Sequence, residues 1–492
     1  MNPTADTLKL LKDAYTGGLA KAGNTVTTAT GLVAYDLQAP AKNLYPVITI
    51  LAKRIPRVAG KGGTATNWRQ VNSITGSGYD SSGWVPEGQR AGAMSISTAN
   101  MAAAYATLGE EGALTFEAQS AAQGFEDERA RTSIRVLQKA MLKEEAAILG
   151  GNATLALGTA NTPTLSAAGS GATLPAATYS VIVAGLTVEG YLNSSVANGV
   201  ATSKTVTGQD NLTFNLNGGS GMKSTNATLA VTLGQTLTAS VVPKNGEIGW
   251  AWFVGLAGSE VLQAITTVPT LALSAPLTTG TQAATAITAD SSTNPNTAYN
   301  GLITSALASG TAYVKQFNGA VMTPSGRGTV VEIDAMLKAL WDQRRVSPSV
   351  LLVSSQEQMN ITNKVLAAPT GGSSTAPLLR QNVSISADGQ ISAGQVVSHY
   401  YNPFTLGSGK MIPVLLHPNV PPGTILAWAE DLPTQYQSNN VPNVAEMHIR
   451  EEWRDIEWPL VTRSYQHGIY VQEVLAVYAP FAMAVLSGIG NG

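Results

Sequence analysis

No arginine occurs between Arg135 and Arg327, and the 140 residues from Gly151 to Asp290 hold only eight charged side chains: Glu189, Lys204, Asp210, Lys223, Lys244, Glu247, Glu260 and Asp290. The other 352 residues carry 52 of the chain's 60 charges, about 15%, against 12% overall and the usual globular share of about 25%. A chain of 492 residues has a prior of about three structural units, and this charge deficit marks one of them off. Inside it, apolar residues alternate at Tyr179, Val181 and Val183, at Leu212, Phe214 and Leu216, at Leu229, Val231 and Leu233, and at Trp250, Trp252 and Val254. Period-two alternation broken by Gly-, Asn- and Ser-rich turns predicts an antiparallel sandwich with one face per sheet buried. The small-residue flanks, Thr159 to Thr173 and Thr278 to Asn296, read as linkers.

Before this insert, Glu117 to Leu149 predicts one long helix of about 45 Å. Ile134, Leu137, Met141 and Ile148 form its apolar stripe; Glu126, Asp127, Glu128, Arg131, Arg135, Lys139, Lys143 and Glu144 form its charged face. Gly150 and Gly151 supply the expected positive-φ stop. Upstream, strand propensity at Trp68 to Ile74 and Met94 to Met101 flanks the turn-rich Gly76 to Gly92 and predicts a long hairpin with too little apolar content for a core of its own. After the insert, helices are expected at Ala298 to Ala308, Val330 to Arg344 and Gln356 to Leu366, with strands at Val350 to Val353 and Met411 to Leu416. Glu446 to Glu473 is a charged β stretch whose opposite charges stabilise paired strands.

Function classes fall away in turn. With 29 Lys+Arg against 31 Asp+Glu the net charge is -2, so gripping phosphate backbones is not the main task. Zero Cys removes disulfides, thiolate nucleophiles and Cys-based zinc sites. Met1 to Asn24 shows no secretory signal, and the longest apolar stretch, Val474 to Leu486, is short of a membrane span and interrupted by Pro480. His399, His417, His448 and His467 show no metal spacing. Gly407-Ser408-Gly409-Lys410 fails as a phosphate loop, with Phe404 in place of the first Gly and Met411 in place of Ser/Thr. Glu110 and Glu111, like Glu451 and Glu452, point to opposite faces of a strand and cannot act as an acid pair. No catalytic, cofactor-binding or metal-binding residue is assigned, and the weight shifts to a structural role.

The order of parts, with Leu44-Tyr45-Pro46-Val47-Ile48-Thr49 through Arg54-Ile55-Pro56-Arg57 and then Gly62-Gly63-Thr64-Ala65-Thr66-Asn67-Trp68, resembles the major capsid proteins of tailed bacteriophages, the Hong Kong 97-type fold. The resemblance implies an α+β fold: residues 1–56 an amino-terminal arm, 57–110 an extended loop, and 111–155 peripheral domain with the spine helix. Residues 156–295 would be an inserted β-sandwich, 296–420 the axial domain, and 421–492 the axial-to-peripheral return strands and carboxyl terminus. Ile248-Gly249-Trp250-Ala251-Trp252-Phe253-Val254-Gly255 makes the insert similar to immunoglobulin-like or fibronectin type III-like sandwiches displayed on the outside of such shells.

What the resemblance implies about function is a non-enzymatic subunit that self-assembles into pentamers and hexamers. These would form the icosahedral head around the phage double-stranded DNA, made in the bacterial host cytoplasm and found in the virion. Implied partners are other copies of the chain, together with scaffolding, portal and decoration proteins and non-specifically contacted DNA, with no membrane and no cofactor. Assembly is expected to use a separate scaffolding protein or none. Lys61 lies in the loop region where some members form a Lys–Asn cross-link; without an identifiable partner it is read as solvated. The alternatives are another phage structural protein, tail tube or portal, and a β-rich carbohydrate-active enzyme, which lacks a signal peptide and an acid pair here. The charged spine helix and carboxyl-terminal sheet are expected where neighbouring subunits meet.

Overall fold

The computed structural model describes residues 48–60, 62–75, 83–93, 95–122, 127–325, 327–366, 383–385, 391–393, 396–405, 407, 409–432, 442–460 and 462–492. Most of the expected arm, the start of the loop signature at Leu44 to Val47, Lys61 and Glu126 lie outside them. The chain divides into two compact units. One comprises residues 1–46 and 117–128, of which the structure describes 117–122, most of helix α2 (Phe116–Ala122), and 127–128. The other comprises residues 47–116 and 129–492.

The second unit opens with a short helix, α1 (Ile50–Arg54), and strand β1 (Arg57–Ala59). Among the described strands, β2 (Ala65–Thr75) and β3 (Ser95–Ala104) pair only with each other, from Ala65 opposite Ala104 to Thr75 opposite Ser95. At about 3.4 Å per residue the 11-residue strand is some 37 Å long. Strand β4 (Ala106–Thr115) pairs with a sheet, so the β2–β3 hairpin ends near residue 105, inside the 57–110 span expected for the loop. The described spine helix, α3 (Glu128–Gly150), is 23 residues, about 34 Å, and the 45 Å helix expected from Glu117 is described as α2 and α3, with Asp127 in neither. Neither Gly150 nor Gly151 has positive φ. They are needed for close approach: a Cβ at Gly150 would lie 2.4 Å from Val188 Cγ1, and one at Gly151 2.6 Å from the Tyr299 carbonyl.

The insert follows: β5 (Thr164–Ala168), β6 (Ala177–Leu186), helix α4 (Val188–Asn193), β7 (Ser203–Thr207), β8 (Thr213–Asn217), β9 (Ala227–Val231), β10 (Thr236–Ser240), β11 (Gly249–Gly255), β12 (Val261–Thr266) and β13 (Thr270–Leu273). A three-stranded sheet, β13-β10-β5, faces a four-stranded one, β12-β11-β6-β9. Between them pack Val181, Val183, Trp250, Trp252 and Val254 against Leu237, Ala239 and Leu271. The expectation of one buried face per sheet fails for β6 and β11. Their other face, Ile182, Ala184, Leu186, Ala251 and Phe253, is covered by Val200, Ala284 and Ile287. The continuous apolar runs at these strands carry that signal, since a strand buried on both sides does not alternate.

Three further expectations for the insert need correction. Phe214 and Leu216 of the Leu212–Leu216 repeat lie in β8, which among the described strands pairs only with β7, outside the sandwich, and Leu212 is 70% and Phe214 52% exposed. Leu233 lies beyond β9, exposed, because the turn at Gly234 (φ 93°) ends the strand. Both expected linkers are structured: the first contains β5, and the second places buried Ala284, Ile287, Ser292 and Asn294. Small polar residues serve there because their side chains satisfy backbone groups at close quarters.

The insert's two connections meet. Asn294 N donates to the Asn152 carbonyl at 2.9 Å, Gly301 N to the Gly151 carbonyl at 2.9 Å, and Asn152 Nδ2 to the Ser292 carbonyl at 2.8 Å. The insert is not independent of what lies beneath it, for Val188 and Ile248 are buried in the same core as Ile148 and Leu149.

The remaining elements are α5 (Leu302–Ser309), β14 (Tyr313–Gln316), α6 (Val331–Arg344), β15 (Val350–Val353), α7 (Ser355–Leu366), a small hairpin β16 (Val383–Ile385) and β17 (Ile391–Ala393), then β18 (His399–Asn402), β19 (Lys410–Leu416), β20 (Ile425–Trp428), β21 (Ala445–Glu457), β22 (Ser464–Val477) and β23 (Met483–Ser487). A mixed six-stranded sheet runs β14-β23-β20-β15-β19-β18. Its central strands are buried on both faces: Leu352, Leu426 and Val485 point into one core, Leu351, Ile425 and Leu486 into the other, the second closed by Ile333, Leu337 and Leu340 of α6. Strands β20 and β23 therefore belong to this sheet, and an axial boundary at 420 cuts through it. The sheet β1-β21-β22-β4, with β1 parallel and the rest antiparallel, shares the first core through Met447, Ile449, Val474 and Leu475.

Candidate functional site

Two features stand out: an extended hairpin with little support, and a set of carboxylates buried where its root, the spine helix and the β1-β21-β22-β4 sheet converge. The hairpin is held at its root. Trp68 Nε1 donates to the Val477 carbonyl at 3.0 Å, and the Trp68 ring meets Tyr478 edge-on at 6.5 Å. Tyr478 in turn bonds His448 Nε2 at 2.8 Å and donates to Glu446 at 3.2 Å. Beyond the root, residues 83–93 are exposed throughout, Trp84 at 94%. A shallow depression on the hairpin is lined by Asn67, Trp68, Arg69, Asn100, Met101 and Ala102.

Glu144 and Glu145 are adjacent on α3, about 100° apart around the axis, and so feed two different networks. Glu145 accepts Leu51 N at 2.6 Å, Ala52 N at 3.0 Å and contacts His417 Nε2 at 2.9 Å. His417 Nδ1 accepts Asn419 N at 3.2 Å, which fixes the tautomer with the proton on Nε2, facing Glu145. Thr49, the residue before α1, makes no capping bond, so the carboxylate of a distant helix caps it instead. Burial alone would push the Glu145 carboxyl up; the bonds from His417, Leu51 and Ala52 outweigh it and hold the group below the usual range.

Glu144 receives Arg57 Nη1 at 2.7 Å, and the other guanidinium nitrogen lies 3.5 Å from Glu473 and 3.6 Å from Glu452. The Glu144 and Glu473 side chains are 1% and 0% exposed. One arginine cannot neutralise both. Burial, followed by the charge of Glu144 and a hydrogen bond with it, pushes Glu473 up to about 8, and its proton is retained at neutral pH. Tyr299 OH donates to Glu473 Oε1 at 3.0 Å, and burial raises this phenol well above its ordinary value. Another buried carboxyl, Glu357, accepts Gly423 N at 3.0 Å and is pushed by burial to about 7.

Much of the charge expected to face neighbouring subunits is spent inside the chain. Lys139 and Lys143 pair with Glu110, Arg129 with Glu457, and Ser133 Oγ with Asp455 at 3.2 Å, strapping the spine helix to β4 and β21. Glu111, on the opposite face of β4, accepts Tyr470 OH and Trp458 Nε1. His399 is exposed at the start of β18, and Gly407 and Gly409 have positive φ in the turn between β18 and β19, residue 408 lying outside the described residues. Among the described residues no three His, Asp or Glu side chains group as a metal site, and no helix is long and apolar enough to cross a membrane.

The sequence reading did not pick out Arg57, Glu145, His417 or Glu473 as a set. The available signal was an adjacent Glu pair at the apolar end of the helix, followed by Ala146, Ala147 and Ile148, where a solvated face would be out of place.

No family model matches the sequence, and no curated protein matches it. Among solved structures the chain is similar to the capsid of a native GTA particle, at 9% identity and TM-score 0.41 over 94% of this chain and 99% of that one. It is also similar to the capsid of Myoviridae phage XM1, at 12% and 0.40 over 95% and 100%, and to a virus-like particle from Pyrococcus furiosus, at 6% and 0.33 over 89% and 91%.

Proposed function

We propose that the chain is a major capsid protein of the tailed-bacteriophage type, a structural subunit whose copies form pentamers and hexamers and close into a shell around double-stranded DNA. The observation that carries this reading is the β2–β3 hairpin. It extends about 37 Å, pairs with no other described strand and is anchored at its root by Trp68. A two-stranded ribbon of that length is marginal in water by itself and calls for a surface to lie on. The rest of the unit suits a rigid tile: a strapped spine helix, two sheets sharing one core, and buried charge networks fixing the strand–helix junction. Heterologous contacts between such tiles close when an adaptable element takes up small differences in angle, and the hairpin is that element. In this reading the insert is carried on the outer surface, and scaffolding and portal proteins are further partners.

Electron microscopy of the purified chain tests it. Closed shells, or five- and six-fold rings, are expected as concentration rises. Tubes or twelve-fold rings would replace this reading with a tail-tube or portal subunit, and monomers under every condition would overturn it.

A further inference from the structure

The insert carries a surface that the shell-forming reading leaves unused. On one face of the β7–β8 ribbon Val206 stands opposite Phe214 and Lys204 opposite Leu216, with Leu212 following at the turn. Phe214 and Leu212 are 52% and 70% exposed, and neither edge of the ribbon pairs with another described strand. The ribbon's turn reaches the β1-β21-β22-β4 sheet, where Gln466 Nε2 donates to Gln209 Oε1 at 3.5 Å. Gln466 is also bonded through its carbonyl to Trp458 N at 3.0 Å, and Trp458 and Leu460 are exposed in that strand-to-strand connection. Leu212, bonded across the turn to Gly208 and on the ribbon face of Phe214, and Trp458 and Leu460 beside Gln466 thus lie on the two sides of one contact between insert and sheet. Exposed apolar groups gathered in this way mark an interaction site.

The same chain holds a matching group. Trp84, Val85 and Pro86 stand exposed in the turn of the extended loop, next to Glu87 and Arg90. The ribbon presents Lys204 and Asp210, so each surface offers one charge of each sign to the other. Trp84, at 94% exposure, is not received by its own chain. We propose that the β7–β8 ribbon, with Trp458 and Leu460, seats Trp84–Pro86 of a second copy, which makes the insert a clasp in assembly as well as an outward domain. A tryptophan entering an aromatic-lined seat is the kind of contact that dominates an interface. The proposal rests on the shell-forming reading.

The chain has no cysteine, so thiols introduced by Trp84→Cys and Phe214→Cys are the only ones present. Treating assembled particles of the double variant with a short bismaleimide should give a ladder of linked subunits on a denaturing gel. Phe214→Ser, at an exposed position, should leave the thermal midpoint of the unassembled subunit unchanged. It should raise the concentration needed for assembly about tenfold, equivalent to about 1.4 kcal/mol. Shells without a ladder, or Phe214→Ser shells forming at the wild-type concentration, overturn the clasp and leave the shell reading standing. If the wild-type chain forms no shells at all, both fall together.

Discussion

Glu145 and Leu51 lie 94 residues apart in sequence, yet the Glu145 carboxylate accepts the Leu51 amide at 2.6 Å and with it caps a helix to which it does not belong. The start of the described chain is thereby fastened to the spine helix by a group that also holds His417. Replacing Glu145 with Ala removes the cap and leaves a buried imidazole and two amides without acceptors, and should cost about 2–4 kcal/mol in denaturant unfolding. Glu145→Gln should cost less. The Glu145 pKa is lowered in the folded state, so its contribution is present above the unfolded value of 4.5 and is lost as pH falls through the folded value. The wild-type advantage over Glu145→Gln should shrink on acidification, and a constant difference between pH 7 and pH 3 would contradict the assignment.

Glu473 gives the opposite slope. Its folded pKa is raised to about 8, so between the unfolded value of 4.5 and 8 the folded state holds a proton that the unfolded state has released. Stability from this group is full below about 4.5 and declines as pH rises toward 8. Glu473→Gln should flatten that decline, read from unfolding midpoints across pH 5 to 8.

Among the described residues, Arg57 is the cation that pairs with both Glu144 and Glu473. Arg57→Met leaves Glu144 buried without its partner and should destabilise by about 3–5 kcal/mol. Combining it with Glu144→Gln should recover a large part of that loss; simple additivity in a double-mutant cycle would show that the pair is not coupled.

Trp68→Ala should act locally. It removes the bond to Val477 and the ring contact with Tyr478 that anchor the hairpin root. Amide exchange in β2 and β3 is expected to quicken several-fold while exchange in β15 and β20, buried between two cores, stays unchanged. Uniform acceleration across all four strands would mean that Trp68 supports the whole unit.

Gly150→Ala runs against helix propensity. Ala is the better helix former, but its Cβ would meet Val188 at 2.4–2.5 Å. The expected result is a loss of about 1–3 kcal/mol from overpacking, partly reversed when Val188→Ala is added. A stabilised Gly150→Ala variant would show that the insert does not press on the helix end.

The secondary structure was legible wherever the pattern was local. Helix α6 and strand β15 form within a residue of where spacing placed them, and β2 and β3 pair across the turn-rich stretch as expected. Sheet membership was not legible, because period two says which side a residue faces and nothing about which strand lies beside it. That is why Leu212, Phe214 and Leu216 looked like sandwich core and stand instead on a lone ribbon. It is also why β23, from the end of the chain, lies unannounced between β14 and β20. The buried carboxylates were hidden for a related reason: Glu144 and Glu145 look like surface charge until Arg57, His417 and Leu51 are brought to them by the fold.

Because Asn152 and Asn294 are hydrogen-bonded neighbours, as are Gly151 and Gly301, the framework meets the insert as a closed splice point. The chain spends more than a hundred residues between two positions that a single turn could bridge. A domain of any fold whose own ends lie together fits the same seam. The replacement would also have to cover the core that Val188 and Ile248 now close and replace the bonds that Asn245 and Gln209 make to Leu307 and Gln466.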